Sequence, residues 1–107
     1  ALLRSASRPT AIVVSDDILA LTLERICTET GLSIPADLSI LSFNNSLFAR
    51  LTSPQLTSID INSCQLGMEA AAQMISHIEN PELPATKILV PHQLIERDSC
   101  ARPASHE

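Results

Sequence analysis

Two short hydrophobic runs, each ending on small polar residues, bracket one amphipathic helix, and this alternation constrains the fold more than any other feature. The first run, Ala11-Ile12-Val13-Val14, closes on Ser15-Asp16-Asp17. The second, over 38–43, closes on Asn44-Asn45-Ser46. A continuous β-branched run suits a strand buried on both faces, and two such strands joined by a helix make a parallel βαβ unit. Open α/β sheets collect ligands at the carboxyl ends of their strands, where the acidic step and the asparagine pair fall. The stretch therefore predicts a Rossmann-like parallel α/β sheet and a site at its rim.

The remaining elements follow from local signals. Ser15 is placed as an N-cap, with Asp16 and Asp17 putting negative charge on the helix N-terminus. Leu19, Leu23, Ile26, Cys27 and Thr30 recur at helical spacing, and Gly31 supplies the stop. A short helix over 47–51 and a third strand over 56–61 come next. The clearest helix spans 63–79, where Asn62 and Gln65 resemble a capping box and Gly67, Ala70, Ala71, Met74, Ile75 and Ile78 form one apolar stripe. Asn80-Pro81 ends it. Strand candidates at 87–90 and 93–96 are split by Pro91-His92, and the tail from Ser99 reads as polar and flexible.

Composition narrows the function classes. A chain of 107 residues has room for one small domain, and its net charge of −5 does not suit a nucleic-acid surface. Lys87 is the single lysine and the six arginines are scattered. Cys27, Cys64 and Cys100 are odd in number and far apart, which fits free thiols in a reducing cytoplasm better than a disulfide scaffold. No run approaches the roughly 18 apolar residues of a membrane span. The chain begins with Ala rather than Met, so its natural start is expected upstream. His77, His92 and His106 make no metal-ligand spacing with the cysteines, there is no nucleophile elbow, and Gly31 and Gly67 both belong to helices. Neither metal, cofactor nor catalysis is expected.

The segments from Pro9 to Leu21, from Gly31 to Asn45 (Gly-Leu-Ser-Ile-Pro-Ala-Asp-Leu-Ser-Ile-Leu-Ser-Phe-Asn-Asn), Ser53-Pro54-Gln55-Leu56-Thr57-Ser58-Ile59 and Leu66-Gly67 occur in order at natural spacing. Together they resemble the LacI/GalR family of bacterial repressors, a match running through Arg97-Asp98-Ser99. Within that family, the Ser-Phe-Asn-Asn and Val90-Pro91-His92-Gln93-Leu94-Ile95 endings look most like the maltose operon repressors of Gram-positive bacteria. The resemblance implies a fold like type I periplasmic sugar-binding proteins, two lobes with an effector in the cleft between them. Residues 1–61 would then belong to the distal lobe, 62–90 would give a helix and strand to the proximal lobe, 91–98 would return to the distal lobe, and 99–107 would form the tail. It also implies a homodimer, and operator DNA bound through an N-terminal helix-turn-helix domain that this chain does not contain.

Each candidate residue has a plainer reading beside the functional one. Asp16 and Asp17 read as helix caps; the resemblance makes Asp16 an effector contact and leaves Asp17 as the cap. Phe43 and Asn44 read as a turn; the resemblance sets Phe43 against a sugar's apolar face and Asn44 where the family's main effector-binding aspartate stands, an amide replacing a carboxylate. Ile61, Asn62 and Ser63 read as a helix start; Ile61 and Ser63 would reach the effector across the cleft. Leu21, Arg25, Leu47, Phe48 and Leu51 read as core; the family's dimer interface lies on the corresponding surface. Two rivals remain: an extracytoplasmic sugar-binding protein of a transport system, which shares the fold, and a phosphoacceptor domain. The second needs an aspartate and a distant lysine at later strand ends, and Asn44 stands at the first of those places.

Overall fold

The computed structural model describes residues 2–103 and contains one four-stranded sheet, in the order β1-β2-β3-β4. The strands are β1 (Ala11–Val13), β2 (Ser39–Phe43), β3 (Thr57–Asp60) and β4 (Gln93–Ile95). β1, β2 and β3 are parallel, in register through Val13↔Leu41 and Phe43↔Ile59, and β4 returns antiparallel with Asp60↔Gln93. Helices α1 (Asp17–Thr30) and α2 (Leu47–Leu51) form the two parallel crossovers. Right-handed crossovers between sequential strands put both on one face of the sheet, and α1 packs against α2 and β2. The expected α/β architecture is thus present, with each strand slightly shorter than its hydrophobic run.

α1 buries a stripe that only partly overlaps the expected one: Cys27 is in the core and Leu23 packs against it, as expected. Its inward residues are Asp17, Ala20, Glu24 and Cys27, while Leu19 and Ile26 are exposed. Spacings of three, four and three keep those four side chains on one face. Two of them are carboxylates, which is why apolar periodicity selects a stripe rotated toward Leu19 and Ile26. The cap is also displaced by one residue: Asp16, not Ser15, has extended backbone and accepts from the Ile18 N–H at 3.1 Å. Gly31 closes the helix at φ 83°, its own N–H and that of Leu32 bonding back to Thr28 and Cys27.

Among the described residues, the core under α1 consists of Ala20, Cys27, Leu38, Ile40, Ala49 and Leu56. Only three of these are large, each worth about 1.5–3 kcal/mol when fully buried, so polar links carry an unusual share of the organisation. Ser99 is the clearest of them. It is fully buried, its hydroxyl donating to the Ile40 carbonyl at 2.5 Å and accepting the Thr57 N–H at 2.8 Å. Ala101 bonds Ser39 in both directions. The flexible tail expected from Ser99 therefore does not begin there: 99–101 bridge the starts of β2 and β3, and 104–107, His106 included, lie outside the described residues.

Helix α3 (Ser63–Glu79) stands apart. It buries none of its residues, and Met68, Met74, Ile75 and Ile78 are each more than half exposed. Its expected capping box does not form, because Asn62 takes a left-handed conformation with φ 59° and makes no side-chain cap bond. The expected strand at 87–90 is irregular chain, since no neighbouring strand offers it a ladder. The described molecule is accordingly elongated, 59 × 27 × 23 Å with a radius of gyration of 18.6 Å, against about 13 Å for a compact domain of this length.

Candidate functional site

The carboxyl ends of β1, β2 and β3 lie side by side, and the chain leaves each through a polar step. Asp16 follows β1, Phe43 ends β2 with Asn44 and Asn45 beyond it, and Ile61 and Ser63 follow β3. The parallel register therefore brings all five expected effector contacts to one end of the sheet. Asp16, Phe43 and Ile61 are half-buried there, while Asn44 and Ser63 are exposed. A cleft of about 330 Å³ opens at the same end, lined by Asp60, Asn62, Pro91, His92 and Gln93.

Asp17 holds this end together. Its Oδ1 accepts from the Ser42 hydroxyl at 2.5 Å and the Ser58 hydroxyl at 3.0 Å, and its Oδ2 accepts from the Ser46 N–H at 2.6 Å and hydroxyl at 2.7 Å. Ser42 and Ser58 are paired across β2 and β3, so one carboxylate fastens α1 to both strands and to the start of α2. Burial alone would push its pKa up, but the hydrogen bonds from Ser42, Ser46 and Ser58 together outweigh it and hold it below the ordinary value. The role assigned to Asp17 in the sequence is corrected: Asp16 caps the helix, and Asp17 is a buried tether. With both oxygens engaged, Asp17 also has no lone pair positioned for a phosphoryl group.

A second network fixes the asparagine pair. Asn44 and Asn45 both take positive φ, 101° and 48°, a region that asparagine tolerates better than other side-chain-bearing residues. The Asn44 N–H donates to the Ile59 carbonyl and the Asn45 N–H to the Ser58 hydroxyl. The Asn45 amide is clamped, its carbonyl accepting from the Arg97 guanidinium and its NH₂ donating to Asp60 at 3.0 Å. Asp60 also accepts the Asn62 N–H at 2.8 Å; the bond from Asn45 first and that from Asn62 second lower its pKa. Pinning Asn45 leaves Asn44 turned outward with its amide free among the described residues, able to donate and accept at once.

Sequence reasoning missed Ser42, Ser46, Ser58, Asn45, Asp60 and Arg97. Their signal was serine at an inward strand position, where an aliphatic residue is the default: Ser42 and Ser58 interrupt hydrophobic runs at paired positions. The dimer candidates Leu21, Arg25, Leu47, Phe48 and Leu51 all lie at the surface on α1 and α2, not in the core. Among the described residues no group of three or more His, Cys, Asp and Glu side chains could hold a metal. No helix there is long and apolar enough to cross a membrane.

A mostly parallel sheet with helices on one face and a polar rim at the strand ends is the architecture of half of a two-lobed binding protein. Residues 1–100 match the family model of the periplasmic binding protein-like domain, and the chain belongs to that family. Similar proteins are transcriptional regulators. The HTH-type transcriptional repressor PurR of Proteus mirabilis is 34% identical over 94% of this chain and 29% of its own length. The arabinose metabolism transcriptional repressor of Geobacillus stearothermophilus is 37% identical over 86% of this chain and 26% of its own. A LacI family regulator from Enterococcus faecium, solved with bound ribose, superposes with a TM-score of 0.82 at 33% identity, covering 94% of this chain and 37% of its own. The chain thus spans under a third of the length of these curated relatives.

Proposed function

We propose that this chain is part of the effector-binding domain of a LacI-type transcriptional repressor, and that the strand-end site binds a small sugar. The observation that carries the reading is the outward, unengaged Asn44 amide beside Asp16 at adjacent strand ends, held by the buried Asp17 and Asn45 networks. A polyol needs paired donors and acceptors on a rigid rim, with an apolar surface for its ring face; Phe43 offers that surface. Ile61 and Ser63 would meet the sugar from the far side, on chain that leads into α3. That α3 buries nothing against the sheet supports assigning 62–90 to a second lobe, with 91–98 returning to the first. The exposed Leu21, Arg25, Leu47, Phe48 and Leu51 surface is proposed as a homodimer interface, where a two-fold contact would cover it twice.

Effector binding between lobes would change their relative angle and, through the dimer, the presentation of DNA-binding heads carried elsewhere in the cytoplasmic protein. The maltose-repressor likeness makes maltose one sugar to test; arabinose and ribose enter from the relatives. The test is operator-fragment binding by the complete protein that contains this chain, with and without each sugar. A change in operator affinity of about tenfold or more with at least one sugar supports the reading. Affinity that ignores every mono- and disaccharide overturns it.

A further inference from the structure

Asn45 has a cation on one side and an anion on the other. Its side-chain carbonyl accepts from the Arg97 guanidinium, and its NH₂ donates to Asp60 at 3.0 Å. Arg97 and Asp60 do not meet directly, the sole ion pair among the described residues being Arg25–Glu29. A planar amide accepts at one end and donates at the other, which neither a carboxylate nor an ammonium can do.

The two partners mark the two places where the chain passes between the sheet and α3. Asp60 is the last residue of β3, and its other oxygen accepts the Asn62 N–H at 2.8 Å, where the backbone turns left-handed into α3. Arg97 follows β4 on the returning segment. It is fastened to β3 by its guanidinium on the Leu56 carbonyl at 2.7 Å and its N–H on the Thr57 hydroxyl at 2.9 Å. The outgoing and returning segments run side by side, with Asp60 opposite Gln93. Of the residues lining the cleft at these crossings, Asp60, Asn62, Pro91, His92 and Gln93, only the proline is apolar. Hydrogen bonds rather than a packed apolar core therefore set the spacing of the crossings there. Toward the strand ends, the Asn45 N–H donates to the Ser58 hydroxyl at 2.9 Å, and Ser58 donates to Asp17. One polar chain thus runs from the buried tether, through the turn that presents Asn44, to both crossings.

We propose that Asn45 is the coupling residue of this site, its amide transmitting sugar occupancy at Asn44 to the angle at which the chain crosses to α3. The inference rests on the reading above, in which 62–90 belongs to a second lobe. Two sites are coupled when both bias one two-state element. Here that element is the angle between lobes, and Asn45 is bonded to both crossings that set it. A sugar that draws Asn44 toward the far lobe moves Asn45 with it, and the Arg97 and Asp60 bonds carry the displacement into both segments together.

The geometry supplies its own control. Asn45→Asp places a carboxylate where the donor to Asp60 stood, so the two repel or share a proton. Adding Asp60→Asn reverses donor and acceptor: the amide at 60 donates to the carboxylate at 45, which still accepts from Arg97. Aspartate, like asparagine, tolerates the positive φ at 45.

The test is operator-fragment affinity of the complete protein, without sugar and saturated with ribose, arabinose or maltose, calorimetry setting the saturating concentration for each variant. Saturation removes any change in sugar affinity from the ratio. The parent should respond about tenfold or more to at least one sugar, and Asn45→Asp should keep less than about a third of that response. The double substitution should regain it. A larger response in Asn45→Asp overturns the inference alone, as does a double substitution that stays unresponsive. Loss of all sugar binding in Asn45→Asp also overturns it, because Asn45 would then serve binding rather than transmission. If Asn45→Asp does not fold, Asp60→Ala takes its place with the same threshold. A parent that ignores all three sugars overturns the proposed function, and this inference falls with it.

Discussion

Asp17 and Glu24 stand two turns apart on one buried face of α1, and their chemistry diverges because only the first has donors around it. Asp17, held below its ordinary value of 3.8, stabilises the fold above that pH and ceases to as the pH falls below it. Asp17→Asn removes the charge and one of the two acceptor oxygens, stranding buried serine hydroxyls, and is expected to cost about 2–4 kcal/mol in urea unfolding near pH 7. Glu24 has the reverse sign. Its carboxyl is raised from 4.5 to about 7, so the folded state holds an extra proton between those values and stability falls as pH rises through that window. Glu24→Gln should therefore be more stable than the parent by about 2 kcal/mol near pH 8, with the gain gone near pH 4. Thermal melts at the two pH values check both the sign and the window.

At the scale of elements, hydrophobic pattern and turn residues located all four strands, α1, α2 and α3 within a residue or two of their bounds. They did so because each strand is a short apolar run and each helix ends on a recognisable breaker. What escaped were the features that depend on the third dimension. Half of the buried face of α1 is carboxylate, so a rule that tracks apolar residues finds Cys27 and Leu23 but misses Asp17 and Glu24. Ser99 looks like the start of a polar tail because its partners, Ile40 and Thr57, are about 40–60 residues away in sequence. The strand proposed at 87–90 has the right composition and no neighbour to pair with. Of the candidate site, the strand-end placement of Asp16, Phe43 and Asn44 was legible, whereas the tether and clamp that position them were not. Ser99→Ala tests the cross-chain link: losing a hydroxyl that serves both β2 and β3 should lower stability by about 1–3 kcal/mol, measured by denaturant unfolding.

Across the whole molecule, one end is a sheet with a small core and the other is an amphipathic helix that buries none of its residues and is flanked by the irregular segment 86–90, where the Thr86 hydroxyl donates to the Gln73 side chain at 3.0 Å. The apolar side chains of α1 and α2 form a further exposed surface, with Leu47 61%, Phe48 42% and Leu51 68% exposed. Scattered exposed hydrophobics are ordinary, but a cluster on two adjacent helices is the pattern of an association surface. Phe48→Asp combined with Leu51→Asp should convert a sedimenting dimer of the complete protein to monomer without changing its helix content. An unchanged sedimentation coefficient would remove this surface from the interface.

Sugar binding at the strand ends is tested most directly by isothermal calorimetry of ribose, arabinose and maltose against the complete protein, alongside its Asp16→Ala and Asn44→Ala variants. At least one sugar should give saturable heat, and each substitution should weaken it about tenfold or more, the loss of one or two hydrogen bonds to the ligand. No heat from any of the three sugars, or variants that bind as tightly as the parent, would contradict it.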